Sequence, residues 1–167
     1  MKTCLFAGTF DPFTIGHLHV VKKALETFDK VVIAIGENAD KNPFFSLEER
    51  LSIINAIFEG DKRVVTTYFS GYLVDFMADK GLVYNVRGIR NGKDFEYESR
   101  MEEFNVKRYP SLITIYYPVD SKVQTVSSTK VRSIIEKGGD LSEVMPEKGL
   151  SQINLILKES AKRTKEK

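Results

Sequence analysis

The chain of 167 residues contains one cysteine and two histidines. A lone cysteine forms no internal disulfide and no thiolate zinc cluster, and it suits a reducing cytoplasm. An excess of charge is also missing: 25 Lys and Arg stand against 23 Asp and Glu, a net +2. That balance creates no field for coating nucleic acid or an anionic membrane, so any cationic site must be local. No apolar run approaches the ~18 residues of a membrane span. The first residues, Met1-Lys2-Thr3-Cys4-Leu5-Phe6-Ala7-Gly8, hold an apolar run too short for a signal peptide and read as a buried first strand.

What is present is a globular composition. Hydrophobic residues make up 42% and charged residues 29%, which argues against disorder. The length suits one domain, placed at residues 1–160, followed by a charged tail at 161–167 that frays. Short apolar runs at 3–7, 31–35, 64–69, 82–86 and 112–117 alternate with amphipathic segments. The second run, Val-Val-Ile-Ala-Ile, is continuous, as in a strand buried on both faces of a parallel sheet. Between the runs, Leu18, Val21, Leu25 and Phe28 recur at helical spacing, as do Leu47, Leu51, Ile54 and Phe58. Ser46-Leu47-Glu48-Glu49 has the pattern of a capping box, with Glu49 three residues after Ser46. A charged helix is expected from Asp94 to Arg108, stopped by Pro110, and a last helix from Pro146 to about Ser160. The alternation predicts an α/β fold: a single-domain, Rossmann-like, doubly wound parallel sheet of five strands. Ligands of such sheets bind beyond the C-terminal strand ends, at the switch point.

Four segments that follow predicted strands carry the chemistry. The first turn is Gly8-Thr9-Phe10-Asp11-Pro12-Phe13-Thr14-Ile15-Gly16-His17. It places His17 at a helix start, where amides and the dipole favour anions. His17 and His19 also form His-x-His, but positions i and i+2 on a helix diverge, and no further donors complete a metal site. The loop after strand two carries Lys41 ahead of Pro43. After strand four comes Arg87-Gly88-Ile89-Arg90, with guanidinium groups suited to phosphate; the competing reading pairs these arginines with Glu96 or Glu98. After strand five, Val123, Gln124, Thr125, Val126, Ser127, Ser128 and Thr129 end in hydroxyls at a helix start, suited both to capping and to anion binding.

These strings resemble the nucleotidylyltransferase superfamily, with its (T/H)xGH and (I/V)SSTxxR signatures and Rossmann-like fold. With Thr14 where relatives usually carry His, and with RGIR followed by DFEYE, the chain is similar to the bacterial phosphopantetheine adenylyltransferase family over residues 3–132. The resemblance implies transfer of AMP from ATP to 4′-phosphopantetheine, giving dephospho-coenzyme A and pyrophosphate in coenzyme A biosynthesis. It implies in-line attack with no covalent enzyme intermediate. It assigns His17, Lys41 and Arg90 to catalysis, with His17 stabilising the transition state. ATP falls to Thr9, Phe10, His17, Gly88, Ile89, Arg90, Glu98 and residues 123–129. The acceptor falls to Thr9, Lys41, Leu73 and Arg87. Mg²⁺ is expected with ATP, held by substrate oxygens and water and not by protein side chains. A cytoplasmic homohexamer with coenzyme A feedback is also implied. Arg132 fills the last signature position without an assigned role. Two alternatives stay open: a nucleotidylyltransferase acting on nicotinate mononucleotide or a phosphorylated alcohol, and a non-catalytic adenine-nucleotide sensor.

Overall fold

The computed structural model describes residues 1–37 and 42–165, with side chains through residue 162. The apolar runs become five strands: β1 (Thr3–Gly8), β2 (Lys30–Glu37), β3 (Val64–Ser70), β4 (Tyr84–Ile89) and β5 (Ile113–Pro118). All neighbouring pairs are parallel, and the order is β3-β2-β1-β4-β5. This is the doubly wound α/β arrangement read from the sequence. The order reverses between β1 and β4, where crossovers leave in opposite directions and open a crevice.

The helices among the described residues are α1 (Ile15–Thr27), α2 (Leu47–Ile57), α3 (Leu73–Asp79), α4 (Gly92–Arg108), α5 (Ser128–Glu136) and α6 (Glu147–Lys165). The continuous strands are explained by burial on two sides. Cys4, Phe6, Ile33, Ile35 and Val86 join Val20, Val21 and Ala24 of α1 and Ile54 of α2 in one core. Leu5, Ala7 and Ala34 point the other way, onto Val74 and Met77 of α3. Each fully buried aliphatic chain contributes roughly 1.5–3 kcal/mol relative to exposure. A third core joins Phe45 and Ile53 to Val131, Leu141, Met145 and Ile153, which seats α5 and α6 against α2. Cys4 lies at the sheet centre, and burial pushes its thiol up to about 12, so it is an inert packing group.

The local signals act as their chemistry suggests. The Ser46 hydroxyl accepts from the Glu49 amide at 3.2 Å, and the Ser46 amide donates to the Glu49 carboxylate at 2.8 Å. Gly81, at φ 62, closes α3 while the Leu82 amide donates to the Met77 carbonyl at 2.9 Å.

Several boundaries differ from the sequence reading. Arg87, Gly88 and Ile89 belong to β4 rather than to a loop after it, because their backbones pair with Tyr116, Tyr117 and Pro118 of β5. Strand pairing at 82–86 correspondingly begins only at Tyr84. The last helix extends beyond Ser160 to Lys165, since no glycine or proline interrupts that segment; residues 166–167 of the expected tail lie outside the described residues. Among the described residues, no helix is long and apolar enough to cross a membrane.

Candidate active site

A cavity of about 410 Å³ opens at the switch point. Ala7 and Gly8 end β1 at its floor, Gly16, His17 and Val20 of α1 form one wall, and Arg87 and Gly88 of β4 form the next. Arg90 and the α4 side chains Asp94, Tyr97 and Glu98 stand opposite Val126, Ser127 and Ser128 at the start of α5. Gly88 is required by close approach: a Cβ there would lie 2.6 Å from Val20 Cγ2.

His17 occupies the third position of α1, with its ring among Phe6, Phe10 and Phe13 at centroid distances of 6.2, 5.1 and 5.2 Å. The Thr14 amide donates to His17 Nδ1 at 3.0 Å, and Thr14 Oγ1 lies 3.1 Å from the same atom. An accepting Nδ1 leaves the proton on Nε2. Burial lowers the His17 pKa to about 4, with Arg87 and Arg90 adding to the effect. The side chain is therefore a neutral donor near pH 7, and it lines the cavity.

The cationic groups are already partnered. Arg87 Nε donates to Glu98 Oε2 at 2.8 Å and Nη2 to Oε1 at 2.5 Å, while Nη1 donates to the Ala7 carbonyl at 2.6 Å. Arg90 donates from Nε to Asp94 Oδ2 at 2.8 Å and from Nη2 to Oδ1 at 3.2 Å. The hydrogen bond from Arg90 holds the Asp94 carboxyl below its ordinary value. Of the pairings weighed from sequence, Glu98 is right for Arg87; Glu96 takes neither, and Asp94 holds Arg90. Both carboxylates sit on α4, four residues apart, so they face the same strand end.

The start of α5 combines both expected duties. Ser127 Oγ accepts from the Lys130 amide at 3.1 Å, a cap. Ser128 Oγ donates to the Pro12 carbonyl at 2.8 Å, a tie to the first turn. Both residues also line the cavity.

Of the sequence candidates, Phe10, His17, Arg87, Gly88, Arg90, Glu98, Val126, Ser127 and Ser128 converge on the cavity. Thr9, Ile89, Val123, Thr125 and Thr129 are not among its lining residues, and Gln124 donates from Nε2 to the Arg90 carbonyl. Leu73 begins α3 and is half-buried against the core of Leu5, Val74 and Met77, and it is not among the residues that line this cavity. Lys41 lies outside the described residues. Sequence reading missed Asp11, Arg50 and Asp94. An aspartate flanked by Phe10, Pro12 and Phe13 was the available signal, because a carboxylate inside an apolar string must be hydrogen-bonded.

The crevice, its histidine at a helix start and its arginines at a strand end are those of a nucleotide-transferring enzyme. Residues 5–134 match the cytidylyltransferase-like family model, and the chain belongs to that family of nucleotidyltransferases. Three relatives are each named phosphopantetheine adenylyltransferase. That of Lawsonia intracellularis is 40% identical over 147 residues, 88% of this chain and 86% of its own. That of Alkaliphilus metalliredigens is 36% identical over 88% of this chain and 94% of its own. That of Campylobacter curvus is 37% identical over 94% of this chain and 98% of its own. Within the nucleotidyltransferases, the chain belongs to the phosphopantetheine adenylyltransferases.

Proposed function

We propose that this enzyme transfers AMP from ATP to 4′-phosphopantetheine, releasing pyrophosphate and dephospho-coenzyme A in the cytoplasm. The observation that carries the reading is the meeting of a neutral His17 donor, Arg87 and Arg90 in one switch-point cavity. An oxygen of the acceptor phosphate attacks the α-phosphorus of ATP. The bond from that phosphorus to the bridging oxygen breaks, and pyrophosphate leaves with the electron pair. The attacking phosphate monoester carries about −1.5 to −2 charge at pH 7, so no general base is needed.

The protein positions the reactants and stabilises developing charge. His17 Nε2–H donates to an α-phosphate oxygen in the transition state. Arg87 serves the acceptor phosphate together with Thr9 and Lys41, and Leu73 meets the pantetheine arm. Arg90, Gly88, Ile89, Glu98, Phe10 and residues 123–129 serve ATP. Arg90 and Arg87 exchange carboxylate partners for phosphate as the anions enter. Mg²⁺ accompanies ATP. Substrate oxygens and water would hold it, since Asp94 and Glu98 are engaged by Arg90 and Arg87. A homohexamer is part of this reading. It is supported by α4, which buries no residue and exposes Phe95, Met101 and Phe104. Coenzyme A, which shares the product's skeleton, is the proposed feedback ligand.

The test is pyrophosphate release by purified protein with Mg-ATP and a panel of acceptors. Turnover is expected with 4′-phosphopantetheine and not with unphosphorylated pantetheine. Preference for nicotinate mononucleotide, or no pyrophosphate with any acceptor, overturns the reading.

A further inference from the structure

Phe10 sits at φ 47, a left-handed conformation that a bulky residue adopts only when its surroundings over-determine it. The backbone around it is held from two helices. The Thr9 carbonyl accepts from Arg50 Nη1 of α2 at 2.9 Å. The Asp11 carbonyl accepts from Arg132 Nη1 of α5 at 2.6 Å, and the Pro12 carbonyl accepts from Ser128 Oγ at 2.8 Å. The Asp11 carboxylate, only 8% exposed, accepts the Phe44 amide at 2.7 Å and the Phe45 amide at 2.9 Å. Arg132 stands 3.8 Å from that carboxylate and donates from Nη2 to Thr129 Oγ1 at 3.1 Å. Arg132 is absent from the cavity lining although it lies four residues after Ser128, which lines it, on the same helix.

We propose that Asp11 and Arg132 form a latch that positions the first βα turn, and through it His17, for adenylyl transfer. Asp11 ties the turn to the segment entering α2, and Arg132 ties it to α5. The ring of the strained Phe10 beside them stands perpendicular to the His17 imidazole, with centroids 5.1 Å apart at 88°. Release of either tie lets Phe10 relax, which removes the wall that sets the tilt of the His17 ring. Arg132 is thus a positioning residue rather than a phosphate receptor. The planar fork matters because one guanidinium serves two acceptors in fixed directions, which an ammonium does not reproduce.

The kinetic arm of the test rests on the adenylyltransferase reading; the spectroscopic arm does not. Arg132→Met, Arg132→Lys, Asp11→Asn and the Asp11→Asn/Arg132→Met double variant are compared with the parent. With only two histidines, ring-nitrogen NMR resolves His17 and keeps His19 as an internal reference. Expected are a kcat lower by about 100-fold in Arg132→Lys as in Arg132→Met, and an ATP dissociation constant within threefold of the parent. His17 should lose its clean Nε2–H signature while His19 stays unchanged. The double variant should be no worse than the worse single variant. Rescue by Lys, together with weaker ATP binding in Arg132→Met, identifies a phosphate contact and overturns the proposal. Lowered thermal stability with unaltered His17 signals identifies a plain structural tie and also overturns it. Should Arg132→Met fail to fold, Arg132→Lys carries the same comparisons. A parent that releases no pyrophosphate defeats the proposed function, and the His17 signals still decide the latch.

Discussion

The Thr14 amide and the His17 Nδ1 close a hydrogen bond of 3.0 Å across the first turn of α1. Helix start and imidazole tautomer are thereby set by one contact. The Nε2–H left over is held on a rigid element, which is what a transition-state donor requires.

Replacing His17 by Gln should therefore reduce turnover far more than ATP binding. Loss of one such donor costs roughly 2.7–4 kcal/mol, about 10²–10³-fold in kcat. Steady-state kinetics alongside calorimetric ATP binding checks this. A near-normal kcat would remove His17 from the mechanism.

His17 also imposes a pH signature. Its folded pKa, about 4, lies below the ordinary 6.5, so the unfolded chain takes up the proton first. Stability from the neutral ring is complete above about pH 6.5 and is lost as pH falls through 4. At about 1.4 kcal/mol per unit this amounts to ~3 kcal/mol. Denaturant unfolding of parent and His17→Gln from pH 7 to 4 should show the parent losing that much more. Parallel curves would mean that the imidazole is not sequestered.

Arg90→Lys keeps the charge and loses the fork. The Arg90–Asp94 pair is partly exposed, with the Arg90 side chain 41% accessible, so its contribution to the free protein is at most ~1 kcal/mol. Thermal unfolding without nucleotide should shift by a few degrees at most, while stabilisation by Mg-ATP shrinks clearly. An apo protein that melts many degrees earlier would make Arg90 a structural residue.

Gly88→Ala drives a methyl into Val20 in a strand with no room to yield. Overpacking of this kind costs typically 1–3 kcal/mol. The melting temperature should fall by roughly 2–4 °C per kcal/mol. The wall of the nucleotide cavity moves with Val20, so the KM for ATP should rise as well. An unchanged melting temperature would show that α1 shifts freely against β4.

Some of this was legible before any coordinates. Continuous β-branched runs announced strands buried twice over, and residues 31–35 show why: Ile33 and Ile35 face α1 while Ala34 faces α3. His17, Arg90 and the Ser127–Ser128 pair converge because each follows a strand, Arg87 because it lies near the C-terminal end of one, and parallel strands end on one side. The partners of the polar groups around the site were legible only in part. Arg132 meets Asp11 across 121 positions, and no periodicity encodes so distant a pairing. Glu96 and Glu98 were both open as partners of the arginines, and only the helix register brings Glu98 opposite Arg87 and Asp94 opposite Arg90.

The two arginine–carboxylate forks of the crevice act on what enters it. A bare guanidinium cluster would collect any free orthophosphate. Here a lone anion gains only the difference between its own contacts and those of the carboxylate it displaces. A ligand that reaches several groups at once gains at each of them together. The crevice thus sorts its visitors by how many contacts they make simultaneously, and it remains open to long, two-ended molecules in a solution crowded with small phosphates.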